Sequence, residues 1–170
     1  MFGNYAKNKT VKIREGFLNG QATEELSGLR YGLSTVGKTG CGTLAVYNAL
    51  LMLGHPEPLP KIIREMELYC CSCFGFLGTM NLMLPIFFRR RGISCRLRFS
   101  YRKAFESRYA VVAFWTKRPV FSGAHIVFLT RENDGFQVYN RYSNRRTVYR
   151  YQTPKELVPR SRFMLAITFD

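Results

Sequence analysis

Residues 41–53 are apolar on nearly every side of a helix, and this stretch constrains the fold more than any other. It reads CGTLAVYNALLML, lacks the alternation of a strand, and ends at Gly54 with Pro56 just beyond. A helix without a polar face has to be surrounded by protein. We therefore predict a buried central helix. A chain of 170 residues, 46% of them hydrophobic, is long enough to enclose it.

Two further helices are predicted after the central one. Pro60 lies in the first turn of one, whose apolar and charged residues occupy opposite sides, as on a surface helix. The other lies between Thr79, a possible N-cap, and Gly92, a possible C-cap. Pro85 either kinks that helix or marks its true start, and the sequence leaves both alternatives open.

The hydrophobic pattern changes to a period of two beyond Gly92. Residues 93–102 alternate apolar with polar, which predicts a half-buried strand. Further strands are predicted at residues 109–116, 124–130, 136–140, 147–151 and 163–169. Turn-forming residues 132–135 join two of them in a hairpin. The fold class is therefore α+β, with an N-terminal helical half and its buried central helix packed on a C-terminal antiparallel sheet.

Nothing in the sequence divides the chain. It has no internal repeat, no low-complexity tract and no long linker, so residues 1–170 are predicted to form a single domain. Residues 1–30 are mixed in polarity and are the least determined part. We interpret them as an N-terminal arm with at most a short helical turn.

Cysteine usage and the apolar runs bear on the compartment. The five cysteines are odd in number and irregularly spaced, unlike a secreted disulfide framework. The longest apolar runs, residues 82–88 and 49–53, are far shorter than the ~18 residues of a membrane span. No signal-peptide core is apparent near the start. These features predict a soluble, cytoplasmic protein without a transmembrane segment.

The chain is strongly basic. Lys and Arg number 26 against 11 Asp and Glu, a formal charge of +15, which favours acidic partners. One basic run follows the third predicted helix and another follows Asn140; their arginines and lysine are Arg89, Arg90, Arg91, Arg96, Arg98, Arg102, Lys103, Arg141, Arg145, Arg146 and Arg150. A solvated surface is the default interpretation. Because the second run follows a candidate site residue, an acidic peptide is ranked above nucleic acid as a partner.

Cys41 is the candidate nucleophile. It follows the flexible residues 37–40 and opens the central helix, whose free N–H groups would lower the pKa of the thiol and stabilise an oxyanion. We therefore expect Cys41 to be the most reactive of the thiols. The alternative is that Cys41 is simply a small apolar residue at a helix start.

His125 is the candidate base. Of the two histidines, His55 lies in a Gly-His-Pro turn and is expected to be exposed and idle, whereas His125 lies in an apolar strand. Asn140 ends the partner strand of the predicted hairpin and could fix the tautomer of the His125 ring. The alternative is a core histidine bonded to the backbone.

The order of these residues resembles the papain-like cysteine peptidases. The segments GCGTLAVYNALLMLG, GAHIVFLT and GFQVYN are most similar to the compact bacterial branch that includes the double-glycine leader peptidases of bacteriocin exporters. The resemblance covers about residues 30–170. It implies a Cys-His-Asn triad in which His125 deprotonates Cys41, Asn140 orients the ring, and the thiolate attacks a peptide carbonyl to form an acyl-enzyme. It implies a peptide or protein substrate and no cofactor.

One position departs from that family. The resemblance implies a Gln about six residues before the Cys, and this chain has Thr35 there, with Ser34 and Lys38 nearby as substitute oxyanion donors. Loss of one such donor typically costs ~10²–10³ in rate. The alternative function is therefore a weakly active or inactive papain-like domain that binds an acidic peptide or nucleic acid.

A metal site is not predicted. Three cysteines lie close together in the sequence, at Cys70, Cys71 and Cys73. No histidine lies nearby in the sequence, and the paired spacing of a zinc site is missing. We interpret them as buried or loop thiols.

Overall fold

The computed structural model describes residues 3–117 and 123–169, so residues 1–2 of the predicted arm lie outside the described residues. The helices, in chain order, are α1 (Asn4–Lys9), α2 (Glu24–Ser27), α3 (Val36–Thr39), α4 (Cys41–Met52), α5 (Leu59–Tyr69), α6 (Leu84–Arg89), α7 (Tyr101–Glu106) and α8 (Pro154–Leu157). The strands are β1 (Arg30–Tyr31), β2 (Ser34–Thr35), β3 (Arg96–Arg98), β4 (Tyr109–Trp115), β5 (Ala124–Glu132), β6 (Gly135–Tyr139), β7 (Tyr149–Tyr151) and β8 (Phe163–Phe169).

The predicted central helix is confirmed as α4. Nine of its twelve residues are buried, including Thr43 and Asn48, so it has no solvent face. Gly54, with φ of 77°, follows the helix in the left-handed conformation that a glycine adopts without strain. The helix is therefore enclosed, as its composition requires.

The second predicted helix is confirmed as α5. Pro60 lies in its first turn, and Ile62, Ile63 and Met66 are buried on one side. The lysine and arginine of the same helix face outward. No helix within residues 3–117 and 123–169 has the length and apolarity that crossing a membrane requires.

The third predicted helix starts later than Thr79. Helix α6 begins at Leu84 with Pro85 in its first turn, so the proline marks the start and does not kink the helix. Thr79 is not its N-cap. Its hydroxyl lies 3.1 Å from that of Tyr31 in a buried contact, which removes it from any capping role.

The predicted strand at residues 93–102 is wrong over most of its length. Only β3, three residues long, forms, and it pairs on one side only, with β8. The Ser100 hydroxyl accepts a hydrogen bond from the Lys103 N–H at 3.5 Å and caps α7, which takes over the remaining residues. A local cap thus ends the strand where alternation alone would continue it. Phe99, expected to face inward, is 65% exposed.

Strands β3 to β8 form one antiparallel sheet, and β1 pairs with β2 in a separate one. The order of the larger sheet is β3-β8-β4-β5-β6-β7, and the predicted hairpin joins β5 to β6, with Glu132 opposite Gly135. The mixed composition of helices and sheet confirms the α+β prediction.

Each face of the sheet covers a different core. The helix-side core packs α4 against the sheet, and its members include Cys41, Leu44, Ala45, Val111, Ala113, Ile126, Phe128 and Ile167. The far-side core lies on the other face, and its members include Phe105, Val112, Phe114, Val127, Leu129, Leu157 and Ala166. Alternate residues of β5 therefore belong to different cores, as strand geometry dictates.

Asparagine side chains hold the N-terminal segment. The Asn48 amide, buried within α4, accepts from the Leu18 N–H at 2.8 Å and donates to the Leu18 carbonyl at 2.7 Å. The Asn8 side chain bonds the N–H and carbonyl of Arg30 in the same way, at 2.8 and 2.9 Å. These amides satisfy backbone groups that form no ladder of their own.

Replacement of Asn48 by alanine should destabilise the protein strongly. Asn48→Ala leaves the buried N–H and carbonyl of Leu18 without partners, at a cost of about 2–4 kcal/mol in unfolding free energy. Urea unfolding of this variant and of Asn144→Ala, a change at an exposed position, provides the comparison. Equal unfolding free energies in the two variants would contradict the role assigned to Asn48.

Candidate active site

Cys41 begins α4 directly after Gly40, and only 8% of its surface is exposed. Backbone N–H groups of Ile126, Gly42 and Cys41 itself lie near the sulfur and favour its thiolate form. Two of these N–H groups belong to the start of the helix, as the sequence predicts. The third comes from β5, which packs across the helix end.

The Cys41 thiol is nevertheless held in its neutral form. Burial raises the pKa of Cys41 to about 11, although the three N–H groups act to lower it. Desolvation therefore outweighs the helix terminus. The sequence-based expectation of a lowered pKa is wrong for this environment, because it took account of the helix start and not of what covers it.

A loop covers the start of α4. Thr79 packs so closely on Gly42 that a Cβ added to Gly42 would lie 2.3 Å from the Thr79 hydroxyl. The Tyr31 hydroxyl contacts Thr79 from the other side at 3.1 Å. Gly42 thus permits the close approach of Thr79 to the start of the helix.

His125 belongs to the far side of the sheet. It lies directly opposite Phe114 in the β4–β5 pairing, and their rings meet edge to face with centroids 5.8 Å apart. Its Nε2 lies 2.7 Å from the Asn140 main-chain carbonyl. Burial, together with the nearby positive charge of Arg141, lowers the pKa of His125, although the bond to Asn140 opposes this.

Cys41 and His125 therefore lie on opposite faces of β5. Ile126 belongs to the helix-side core with Cys41, and Val127 belongs to the far-side core. Because successive strand residues point to opposite faces, the His125 ring shares the face of Val127. The expected convergence of the three side chains on one cleft is not found.

Asn140 contacts His125 through its main chain and not through its amide. Its side-chain oxygen accepts from the N–H groups of Gly20 and Gln21 at 3.1 and 3.3 Å, and its amide nitrogen donates to Gln21 Oε1 at 3.1 Å. Its φ is 59°, in the left-handed region that asparagine tolerates. The Asn140 amide thus holds the N-terminal segment against the sheet.

The three oxyanion candidates precede α4. Ser34 is buried and Thr35 half-buried in β2, and Lys38 is exposed on α3. The Thr35 carbonyl accepts from the Thr39 hydroxyl at 3.3 Å. Their role as oxyanion donors stays a prediction.

Sequence reasoning missed Gln21. It is 4% exposed, accepts from Asn140, and its amide nitrogen lies 3.5 Å from the Gly37 carbonyl of α3. The available signal was the apolar pair Phe17 and Leu18 shortly before it in the sequence. Nothing in the local pattern could pair Gln21 with a residue over a hundred positions later.

The remaining thiols show no metal arrangement. Within the described part of the chain no group of three His, Cys, Asp or Glu side chains could hold a metal ion. Cys70 is buried, Cys71 is partly buried and Cys73 is exposed, and none is in a disulfide.

A cleft of about 310 Å³ opens beside His125. The described residues that line it are Phe114, Trp115, Thr116, His125, Arg141, Tyr142, Ser143, Leu157, Val158, Pro159 and Arg162. Among these residues there is no carboxylate. A larger cavity of about 680 Å³ lies at the β5–β6 turn, where three carboxylates, of Glu106, Glu132 and Asp134, outnumber two arginines, Arg102 and Arg131.

Arg141 is the central basic residue of this cleft. Its guanidinium carbon lies 5.3 Å from the Phe114 ring centroid and 4.9 Å from that of Tyr142. Its Nη2 donates to the Leu157 carbonyl at 3.2 Å, and its Nε is buried without a partner among the described residues. A guanidinium group in the wall of a cleft pairs favourably with an anionic group.

Thiol labelling tests the burial of Cys41. Iodoacetamide at neutral pH should label the exposed Cys73 well before Cys41, because Cys41 is covered and its pKa is about 11. His125→Ala should leave the labelling rate of Cys41 unchanged. Peptide mass mapping over time gives both rates, and Cys41 labelling first, with a rate that depends on His125, would contradict this geometry.

The fold of this chain is shared with a protein of known structure. The chain is similar to the peptidase domain of ComA from Streptococcus, described as a bi-functional ABC transporter involved in a quorum sensing pathway. The TM-score is 0.52 with 17% sequence identity, over 75% of this chain and 88% of that one. No protein-family model and no curated protein matched the chain. The predicted resemblance to the bacterial papain-like peptidases is therefore confirmed at the level of the fold.

Proposed function

We propose that this chain is a papain-like domain that binds an acidic peptide in the cleft beside His125, which we call the basic cleft, without cleaving it. One observation carries the proposal: the charged side chains among the described lining residues are Arg141 and Arg162, with no carboxylate beside them. A carboxylate from a ligand would pair with these guanidinium groups. Charge-assisted hydrogen bonds of this kind contribute about 1.5–3 kcal/mol each.

The aromatic residues of the cleft support a peptide ligand. Trp115 and Tyr142 line it beside the arginines, and Tyr142 is 43% exposed. Such rings bury apolar area while leaving polar groups free to bond a backbone. Leu157 and Val158 provide an apolar wall. A ligand with carboxylates next to apolar side chains fits this combination of surfaces.

The overall charge favours association with such a ligand. A formal charge of +15 raises the local concentration of acidic molecules. Arg145, Arg146 and Arg160 are exposed close in sequence to residues of the cleft. Binding should therefore weaken as ionic strength rises. Nucleic acid shares this electrostatic attraction, but the likeness in fold to a peptidase domain favours a peptide.

Cysteine peptidase activity through Cys41, His125 and Asn140 is the second candidate. The likeness to a peptidase domain and the N–H groups around the Cys41 sulfur favour it. Against it stand the raised pKa of Cys41, the assignment of His125 to the far side, and Thr35 in place of the expected Gln. For hydrolysis, His125 would have to reach the Cys41 thiol within about 3–4 Å.

Removal of the cleft charges should weaken peptide binding. For Arg141→Gln/Arg162→Gln we expect the Kd of a fluorescent Asp/Glu-rich peptide, measured by anisotropy, to rise about tenfold or more, which corresponds to about 1.4 kcal/mol. Lys61→Gln/Arg64→Gln removes the same charge from exposed positions on α5 and is the matched control. This control should bind almost as the native chain does.

Three outcomes would overturn the proposal. Equal weakening by both double variants would indicate binding by net charge alone. Tighter binding of a single-stranded oligonucleotide than of the peptide, lost in the cleft variant, would indicate a nucleic-acid site. Cleavage of the peptide that disappears in Cys41→Ser would establish the peptidase instead.

A further inference from the structure

A second surface of the molecule is apolar and exposed. Between Glu67 and Arg89 the sequence has no charged residue. Several large side chains of this segment face solvent, and we call them the apolar patch: Leu68, Tyr69, Phe74, Phe76, Leu77, Met80, Leu82 and Ile86. Phe74, Phe76 and Leu77 are 67%, 64% and 72% exposed. So many exposed apolar side chains within one stretch of sequence indicate an interaction surface.

The loop that carries the patch is held by backbone hydrogen bonds. The Ser72 N–H donates to the Gly78 carbonyl at 2.9 Å, and the Met80 N–H donates to the Cys70 carbonyl at 2.7 Å. The Phe74 carbonyl accepts from the Leu33 N–H at 2.7 Å. The exposed side chains are therefore displayed by a fixed loop, not by a loose one.

Phe74 adopts a backbone conformation that bulky residues avoid. Its φ and ψ are 55° and 23°, in the left-handed region, and Cys73 before it also has a positive φ of 44°. Gly32 allows the loop to approach, since an added Cβ there would lie 2.1 Å from the Phe74 carbonyl. Glycine or asparagine would be more stable at position 74, so an exposed phenylalanine there calls for a functional reason.

The charges near the patch are positive. Arg89 and Arg90 follow it directly and are exposed, and Arg90 stacks on the Tyr69 ring at 4.4 Å. The carboxylates of Glu65 and Glu67 on α5 already have partners within the protein. Glu65 forms an ion pair with Arg91, and the buried Glu67 accepts a hydrogen bond from the Gly32 N–H. The patch thus combines apolar side chains with exposed arginines.

We propose that the apolar patch docks on an anionic lipid bilayer, with Phe74, Phe76 and Leu77 entering the interface and Arg89 and Arg90 contacting lipid headgroups. Aromatic side chains beside basic ones are the combination that binds such interfaces, and each basic residue near the surface contributes on the order of fivefold in affinity. A second copy of the chain fits less well, since it would bring two charges of +15 together. This site is independent of the basic cleft.

Vesicle sedimentation tests the proposal with a matched pair of variants. Phe74→Asn/Phe76→Ser removes two rings, and asparagine keeps the left-handed conformation at position 74. Phe99→Ser is the control, because Phe99 is 65% exposed outside the patch. With vesicles of equal phosphatidylcholine and phosphatidylglycerol at about 0.1 M salt, we expect the native chain and Phe99→Ser to partition alike. The double variant should partition about tenfold less, and thermal melting should show that it is folded.

Each other result contradicts lipid docking. Equal sedimentation of the double variant and the native chain would mean that charge alone binds the vesicles. Equal binding to pure phosphatidylcholine would remove the role of the arginines. Absence of binding to anionic vesicles would end the proposal. Concentration-dependent self-association without lipid, lost in the double variant, would assign the patch to a second copy. Arg141→Gln should leave vesicle binding unchanged, which separates this test from that of the basic cleft.

Discussion

The packing of α4 against β5 is the contact on which the rest of the structure depends. The helix has no polar face, so β5 must place side chains against it, and Ile126 and Phe128 do so. Strand geometry then sends the residues between them to the other face. His125 follows Val127 to the far-side core, and a cleft lined by arginines lies there. The same packing brings the Ile126 N–H to the Cys41 sulfur and helps to cover it.

Sequence periodicity was sufficient for α4, α5 and the hairpin, and insufficient for residues 93–102 and for the faces of the strands. The apolar residues of α4 and the alternating sides of α5 identify both helices, and the turn at residues 132–135 identifies the hairpin. The face of His125 could not be predicted, because β5 is buried on both sides and has no alternation to indicate orientation. The interactions of Gln21 with Asn140 depend on contacts distant in sequence. The Ser100 cap is local, but it competes with a strand pattern that continues beyond it.

The Cys41 environment illustrates a competition between two opposing effects on one pKa. Backbone N–H groups at the helix start favour the thiolate, and removal of water favours the thiol. In this chain the burial of Cys41 decides the balance in favour of the thiol. A peptidase fold can thus keep a cysteine at its helix start while the surrounding residues hold it neutral. The basic cleft, with Arg141 and Arg162, lies on the face that His125 occupies.

An NMR titration of the His125 ring tests most directly whether Cys41 and His125 are separated. The ring signal is assigned with His125→Gln, and the titration is carried out on the native chain and on Cys41→Ser. Burial and the charge of Arg141 lower the pKa of His125, and no thiolate lies near to raise it. The account therefore expects His125 to titrate below its ordinary value, with the same midpoint in both proteins. A raised midpoint that falls in Cys41→Ser would reveal a thiolate–imidazolium pair and would contradict the account.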